Sequence, residues 1–114
     1  MLNIKQGDIY LARCHSDKDS HIIRGYRPVI IVRVIDNSTI LHTVPLTANL
    51  RKRINRLHIR IEGHGLAQPS IALIEQVRPI DKSLLGKQLG TIAETDKMNQ
   101  IIRCLVRYFD PSAA

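Results

Sequence analysis

The chain has no tryptophan, one phenylalanine and three tyrosines among its 114 residues. Recognition of single-stranded nucleic acid by base stacking needs aromatic platforms, so a nucleic-acid partner would be held here mainly by charge and hydrogen bonds. Cysteine is scarce too: Cys14 and Cys104 form no CxxC pair, which argues against a cysteine zinc site or a disulfide framework and fits reduced cytosolic thiols. No run approaches the ~20 apolar residues of a membrane helix, and "MLNIKQGDIY" carries no signal-peptide apolar region. A cytoplasmic location is therefore expected. The histidines at 15, 21, 42, 58 and 64 make no HxxxH pair and have no carboxylate cluster beside them, so metal ligation is not supported. His58 is expected to be an exposed strand residue and His42 a core residue. Neither a phosphate loop nor a G-x-S-x-G elbow is present.

Acidic residues are missing where basic ones collect. Residues 20–61 hold Arg24, Arg27, Arg33, Arg51, Lys52, Arg53, Arg56 and Arg60 against Asp36 alone, and the two flanking segments balance, so the net charge of +7 belongs to the middle of the chain. A polyanionic partner follows, either nucleic acid or an acidic protein segment. With 44% hydrophobic and 24% charged residues the composition is globular, and the length suits one domain spanning 1–114.

The pattern along the chain is mostly β. "GDIYLARC" (7–14), "RPVIIVRVID" (27–36) and "TILHTVPLT" (39–47) read as strands, the last two joined at Asn37-Ser38 into a hairpin. "LHIRIEG" (57–63) alternates apolar and polar residues as a half-buried antiparallel strand does. Residues 14–26 and 63–70 are loop and turn material. Asp81 is placed to cap a short helix over Lys82–Leu85 ended by Gly86, and "KQLGTIA" (87–93) is a last strand. From Glu94 the period lengthens: Met98, Ile101, Ile102, Leu105, Val106 and Phe109 form one helical stripe. Short sequential strands with a terminal helix and no βαβ alternation predict an α+β fold, a small curled antiparallel sheet or barrel.

"SIALIEQVRPID" (70–81) is the odd segment. Read as a strand, it puts Glu75 on the face of Leu73 and Val77, with Gln76 and Arg78 alongside. Together with Arg27 before "PVIIV" and Thr47 at the end of "TVPLT", these polar residues stand at strand ends, where a scaffold presents side chains to a cleft. Arginine offers a two-pronged donor for phosphate, threonine a hydroxyl and glutamate a proton-transfer group, a set able to cleave RNA. A structural Arg–Glu salt bridge would look the same in sequence.

"GDIY", "RPVIIV", "VPLT" and "SIALIEQVRPIDKSLLGKQLGTI", in that order over nearly the whole chain, resemble the MazF/PemK family of bacterial toxin–antitoxin ribonucleases. The resemblance implies an SH3-like curled antiparallel β-barrel with a C-terminal helix, working as a homodimer. It also implies metal-independent, cofactor-free, sequence-selective cleavage of single-stranded RNA by 2′-hydroxyl attack, leaving 2′,3′-cyclic phosphate and 5′-hydroxyl ends. By that resemblance Arg27, Thr47 and Glu75 are catalytic, with Glu75 facing Arg27 across the site. Gln76 and Arg78 match groove-lining positions, and His21 matches a loop histidine of some members. Arg24 and Tyr26 are further candidates beside the substrate. Arg51, Lys52 and Arg53, in the loop "ANLRKRINR" (48–56), are expected to track phosphates.

The implied partners are single-stranded RNA and an antitoxin with an acidic disordered tail, through which DNA association would be indirect. The sequence departs from the family pattern at "SHIIRGY" (20–26), where Ile22 replaces a usual glutamate and Arg24 is added. Ile22 and Ile23 there are candidates to pack against a partner chain. Two other readings stay open: a non-catalytic toxin of the same fold that binds a protein target as gyrase poisons do, and an RNA-binding SH3-like module. The absence of tryptophan argues against the first, and the joint presence of Arg27, Thr47 and Glu75 against the second.

Overall fold

The computed structural model describes residues 3–16, 19–50 and 56–112. Seven strands appear: β1 (Asp8–Cys14), β2 (Gly25–Val34), β3 (Ile40–Thr47), β4 (His58–Ile61), β5 (Ser70–Leu73), β6 (Arg78–Asp81) and β7 (Leu85–Thr91), followed by helix α1 (Asp96–Phe109). All pairings are antiparallel, in the order β4-β5-β3-β2-β1-β7, with β6 also on β3. The ladder does not close into a barrel. Its two ends nevertheless meet through backbone: a Cβ built on Gly90 of β7 would lie 1.9 Å from the His64 carbonyl oxygen, and one on Gly65 would lie 1.8 Å from that of Leu89. Only side-chain-free residues allow this contact, so the sheet is curled until β7 touches the loop after β4.

The continuous apolar run of β2 follows from its central place in the sheet. Alternation sends Ile30 and Val32 to the main core, with Ile9, Val44, Leu46, Ile59, Ile61, Ile74 and Ile92. Val29 packs with Ala12, Cys14 and Ile80 on the other face, and Ile31 with Tyr10 and Leu41. Asn37, at φ 63°, turns the β2–β3 hairpin, as its side chain tolerates. Pro45 has no N–H to donate, and it sits between the β3 residues that pair with β6 (40–43) and those that pair with β5 (46–47).

Two expectations need correction. The segment from Ser70 to Asp81 is not one strand. β5 ends at Leu73, a 3₁₀ turn covers Ile74–Gln76, and β6 resumes at Arg78 along the same partner, β3. In α1, the buried residues are Met98, Ile101, Cys104 and Leu105, whereas Val106 and Phe109 are 53% and 69% exposed. The stripe read from sequence is real only as far as Leu105, because the core beneath the helix ends there. Thr95 caps α1 by accepting from the Met98 N–H, and Asp81 caps a second 3₁₀ turn, Lys82–Leu84, by accepting from Ser83 N–H.

The backbone contact between β7 and the loop after β4 gives a direct test. Gly90→Ala forces a methyl into the His64 carbonyl and is expected to cost about 1–3 kcal/mol, read as a lowered urea midpoint with an unchanged slope.

Candidate functional site

The strand register brings the first two candidates together. Val29 pairs with Pro45, Ile30 with Val44 and Ile31 with Thr43; Arg27 and Thr47 each stand two residues beyond the Val29–Pro45 pair, at the same end of that ladder. By strand alternation Arg27 takes the face of Val29 and Thr47 that of Pro45, the partner of Val29, which is the side of the sheet away from the main core. Arg27 is half-buried, and its Nε donates to the Arg24 carbonyl at 2.8 Å, which leaves its outer guanidinium nitrogens free for a ligand. Thr47 is buried, and its hydroxyl oxygen accepts from Asn49 N–H at 3.2 Å, leaving its own hydrogen to donate.

Gln76 and Arg78 share the task of holding the first loop. The Gln76 side-chain oxygen accepts from Ile23 N–H at 2.6 Å, and its amide nitrogen donates to the His21 carbonyl at 3.4 Å. Arg78 donates to the Ile23 carbonyl at 2.7 Å and to the carbonyl of His15. Both ends of the segment 15–23 are thereby tied to the chain after β5. Ile23 completes the anchor by packing on Ile71 and Leu73, so it is an internal contact and not a seat for another chain. Its neighbour Ile22 is 54% exposed and lines a cleft of about 540 Å³ with His15, Ser16, Ser20 and Arg78. Cys14 is buried: burial pushes its thiol up from the ordinary value, and the charges of Arg78 and Arg27 pull it part of the way back.

Glu75 does not join Arg27. Its carboxylate is bonded to His58 Nε2 at 3.0 Å, and its other oxygen is shielded from solvent with no hydrogen-bond partner. The His58 side chain is only 10% exposed, so the exposed position read from sequence is also corrected. Cys104, raised by burial, opposed by Arg107 and raised further by the Glu75 charge, shows that this carboxylate acts toward α1. Tyr26, adjacent to Arg27, is turned to the opposite face by strand alternation, and its hydroxyl lies over Gly86 of β7. The side chains of His21 and Arg24 are exposed in the first loop. Arg51, Lys52 and Arg53 lie outside the described residues. Among the described residues no three His, Cys, Asp or Glu side chains gather as metal ligands. Among the described residues no helix is long and apolar enough to cross a membrane.

The sequence pattern of one family, described as PemK-like, MazF-like toxin of type II toxin–antitoxin systems, matches residues 5–109. The chain belongs to that family. Solved structures agree in fold with this PemK/MazF-like toxin. The Mycobacterium tuberculosis toxin MazF-mt6 is 21% identical, superposes with a TM-score of 0.70, and the match covers 90% of this chain and 96% of that one. MazF from Deinococcus radiodurans is 18% identical with a TM-score of 0.71, covering 91% and 93%. A mycobacterial endoribonuclease in complex with its cognate antitoxin is 19% identical with a TM-score of 0.68, covering 91% and 92%. At such identities the likeness is one of fold.

Sequence reasoning missed the loop anchor and the His58–Glu75 pair. A β-branched pair, Ile22-Ile23, inside a polar loop was the available sign of the first; the second joins residues 17 positions apart through a turn whose direction no local pattern reveals. The anchor predicts a specific exchange behaviour. Gln76→Ala removes the acceptor of the Ile23 amide and is expected to speed its hydrogen–deuterium exchange at least tenfold, a loss of about 1.4 kcal/mol of local protection. Gln76→Glu, which keeps an acceptor oxygen, should preserve that protection, and equal exchange in all three proteins would remove the anchor.

Proposed function

We propose that this toxin is an endoribonuclease that cleaves single-stranded RNA without a metal, by attack of a ribose 2′-oxygen on the adjoining phosphorus. The new O–P bond closes a 2′,3′-cyclic phosphate while the bond to the 5′-oxygen breaks, and that oxygen leaves as a hydroxyl. The observation that carries this reading is that Arg27 and Thr47 stand at the same end of the β2–β3 ladder, two residues past Val29–Pro45, with guanidinium nitrogens and a hydroxyl hydrogen left over by their own hydrogen bonds. Such donors act where charge develops on the phosphorane oxygens, and being fixed in advance they cost no reorganisation during the reaction. Arg78 and Gln76 position the first loop, and through Arg24 that loop holds the Arg27 side chain.

Proton transfer falls to groups that can reach that phosphate. His21 is exposed in the anchored loop, whereas Glu75 reaches a substrate only if its bond to His58 opens. We assign the loop, with His21 and Arg24, to the substrate and give Glu75 the lesser part. The loop residues Arg51, Lys52 and Arg53 add charge for the RNA backbone. An antitoxin with an acidic segment suits the same basic surface, as the antitoxin complexes among the similar structures support. Val106 and Phe109, exposed on α1, support assembly as a homodimer that covers them. A cytoplasmic site of action fits two unpaired cysteines, both free thiols.

The test is incubation of the purified protein with a long single-stranded RNA in excess EDTA, with product ends mapped. Sequence-selective cuts ending in 2′,3′-cyclic phosphate and 5′-hydroxyl are expected, with kcat reduced about 10²–10³-fold in Arg27→Ala. Intact RNA under these conditions would refute the ribonuclease reading. Glu75→Gln is expected to keep most of the activity and its pH profile; a loss of one limb of that profile would instead make Glu75 the proton-transfer group.

A further inference from the structure

A second concentration of positive charge lies away from Arg27. A cleft of about 430 Å³ between α1 and the chain entering β4 is lined by Arg56, His58, Gln100, Arg103, Cys104 and Arg107. Arg103 and Arg107 stand one helical turn apart, a like-charge pair that repels, and Arg56 faces them from the opposite wall. No carboxylate lies within ion-pair distance of these three arginines among the described residues, and all three are exposed. Glu75, whose charge reaches Cys104 in the same cleft, is engaged with His58. Converging guanidinium groups with no internal counter-charge are complementary to an external anion, and their forked donors match phosphate.

The shape of the charge selects the class of ligand. Gln100, Arg103 and Arg107 follow one another at spacings of three and four along α1, and so do Ile102, Val106 and Phe109 on a separate flank. An amphipathic protein segment would need both stripes, yet the cleft is bounded by the cationic one and by buried Cys104, whose thiol donates to the Arg56 carbonyl at 3.2 Å. A polyanion carrying its charges along an unbranched backbone needs the cationic stripe alone. Arg56 brings to the cleft a charge from the basic middle third of the sequence, and the molecule measures 38 Å in its longest dimension. One RNA strand is therefore long enough to engage both places.

We propose that this cleft is a phosphate-binding exosite for the RNA backbone, gripping the strand away from the bond that is cut. The proposal rests on RNA being the substrate. It assigns Arg103, Arg107 and Arg56 to affinity for longer strands and no part in the chemistry at Arg27.

The test uses fluorescence anisotropy with 2′-O-methyl RNA, which cannot undergo 2′-hydroxyl attack, as a trinucleotide and as a strand long enough to cross the molecule. The double variant R103Q/R107Q replaces two exposed side chains with good helix formers, and an unchanged melting curve confirms its fold. For the long strand it is expected to bind about tenfold more weakly, with the slope of log affinity against log salt reduced by about 1.4. Trinucleotide binding should stay as in the wild type, and fall in Arg27→Ala. Unchanged long-strand affinity and slope in the folded double variant would overturn the exosite and leave the Arg27 centre standing. Absence of wild-type affinity for either RNA would overturn the RNA reading and the exosite together. Binding of poly-glutamate that is lost in R103Q/R107Q while RNA binding persists would overturn the proposal in favour of an acidic protein segment.

Discussion

The 3₁₀ turn at Ile74–Gln76 interrupts a run that would otherwise continue as one strand along β3, and the disposition of the polar residues depends on that interruption. In a strand, successive side chains alternate between two faces, which would have stacked Glu75 with Leu73 and Val77. With three residues per turn they point in three directions instead. Ile74 goes into the main core, Glu75 to His58 on β4, and Gln76 to the backbone of the first loop. One short turn thus fastens an edge strand, a loop and the core to each other. Arg78, placed as β6 restarts opposite Thr43, repeats the connection to the loop from two residues further on.

The consequence for the site is a division of labour among residues that sequence alone would group. Glu75, Gln76 and Arg78 look like one polar cluster beside Arg27. In the fold, Gln76 and Arg78 spend donors and acceptors on main-chain atoms of residues 15–23, and Glu75 is turned toward α1. Arg27 and Thr47, beyond the end of the β2–β3 ladder, keep donors that their own hydrogen bonds do not use. The part-buried bonds at Ile23 are costlier to leave unmade than exposed ones, whereas a surface charge pair such as Arg60–Glu62 contributes little.

Much of the fold was legible because it rests on local periodicity. The β2–β3 hairpin, the alternation of β4, the Asp81 cap and the start of α1 were all visible in the pattern of apolar residues and turn formers. The errors fall where a residue's surroundings come from distant parts of the chain. The turn at Ile74–Gln76 interrupts residues of high strand propensity, and it forms because Ile74 N–H donates to the Leu57 carbonyl and Val77 N–H to that of Ile74. His58 alternates with apolar neighbours as an exposed residue would, and is covered only because Glu75 and α1 reach it. Val106 and Phe109 keep helical register with the core beyond the point where the core stops.

Charge follows the same logic at longer range. The basic excess of residues 20–61 is divided by the fold: Arg27 joins Arg78 around Cys14, and Arg56 joins Arg103 and Arg107 around Cys104. The two cysteines are desolvated in both places, and each thiol is held above its ordinary value against the pull of the arginines beside it. On the proposed reading, two cationic sites on a single small domain would raise affinity for a continuous polyanion, since binding at the first confines the strand near the second. A short or compact anion would gain nothing from that arrangement, so the proposed pair of sites discriminates by the length of the strand.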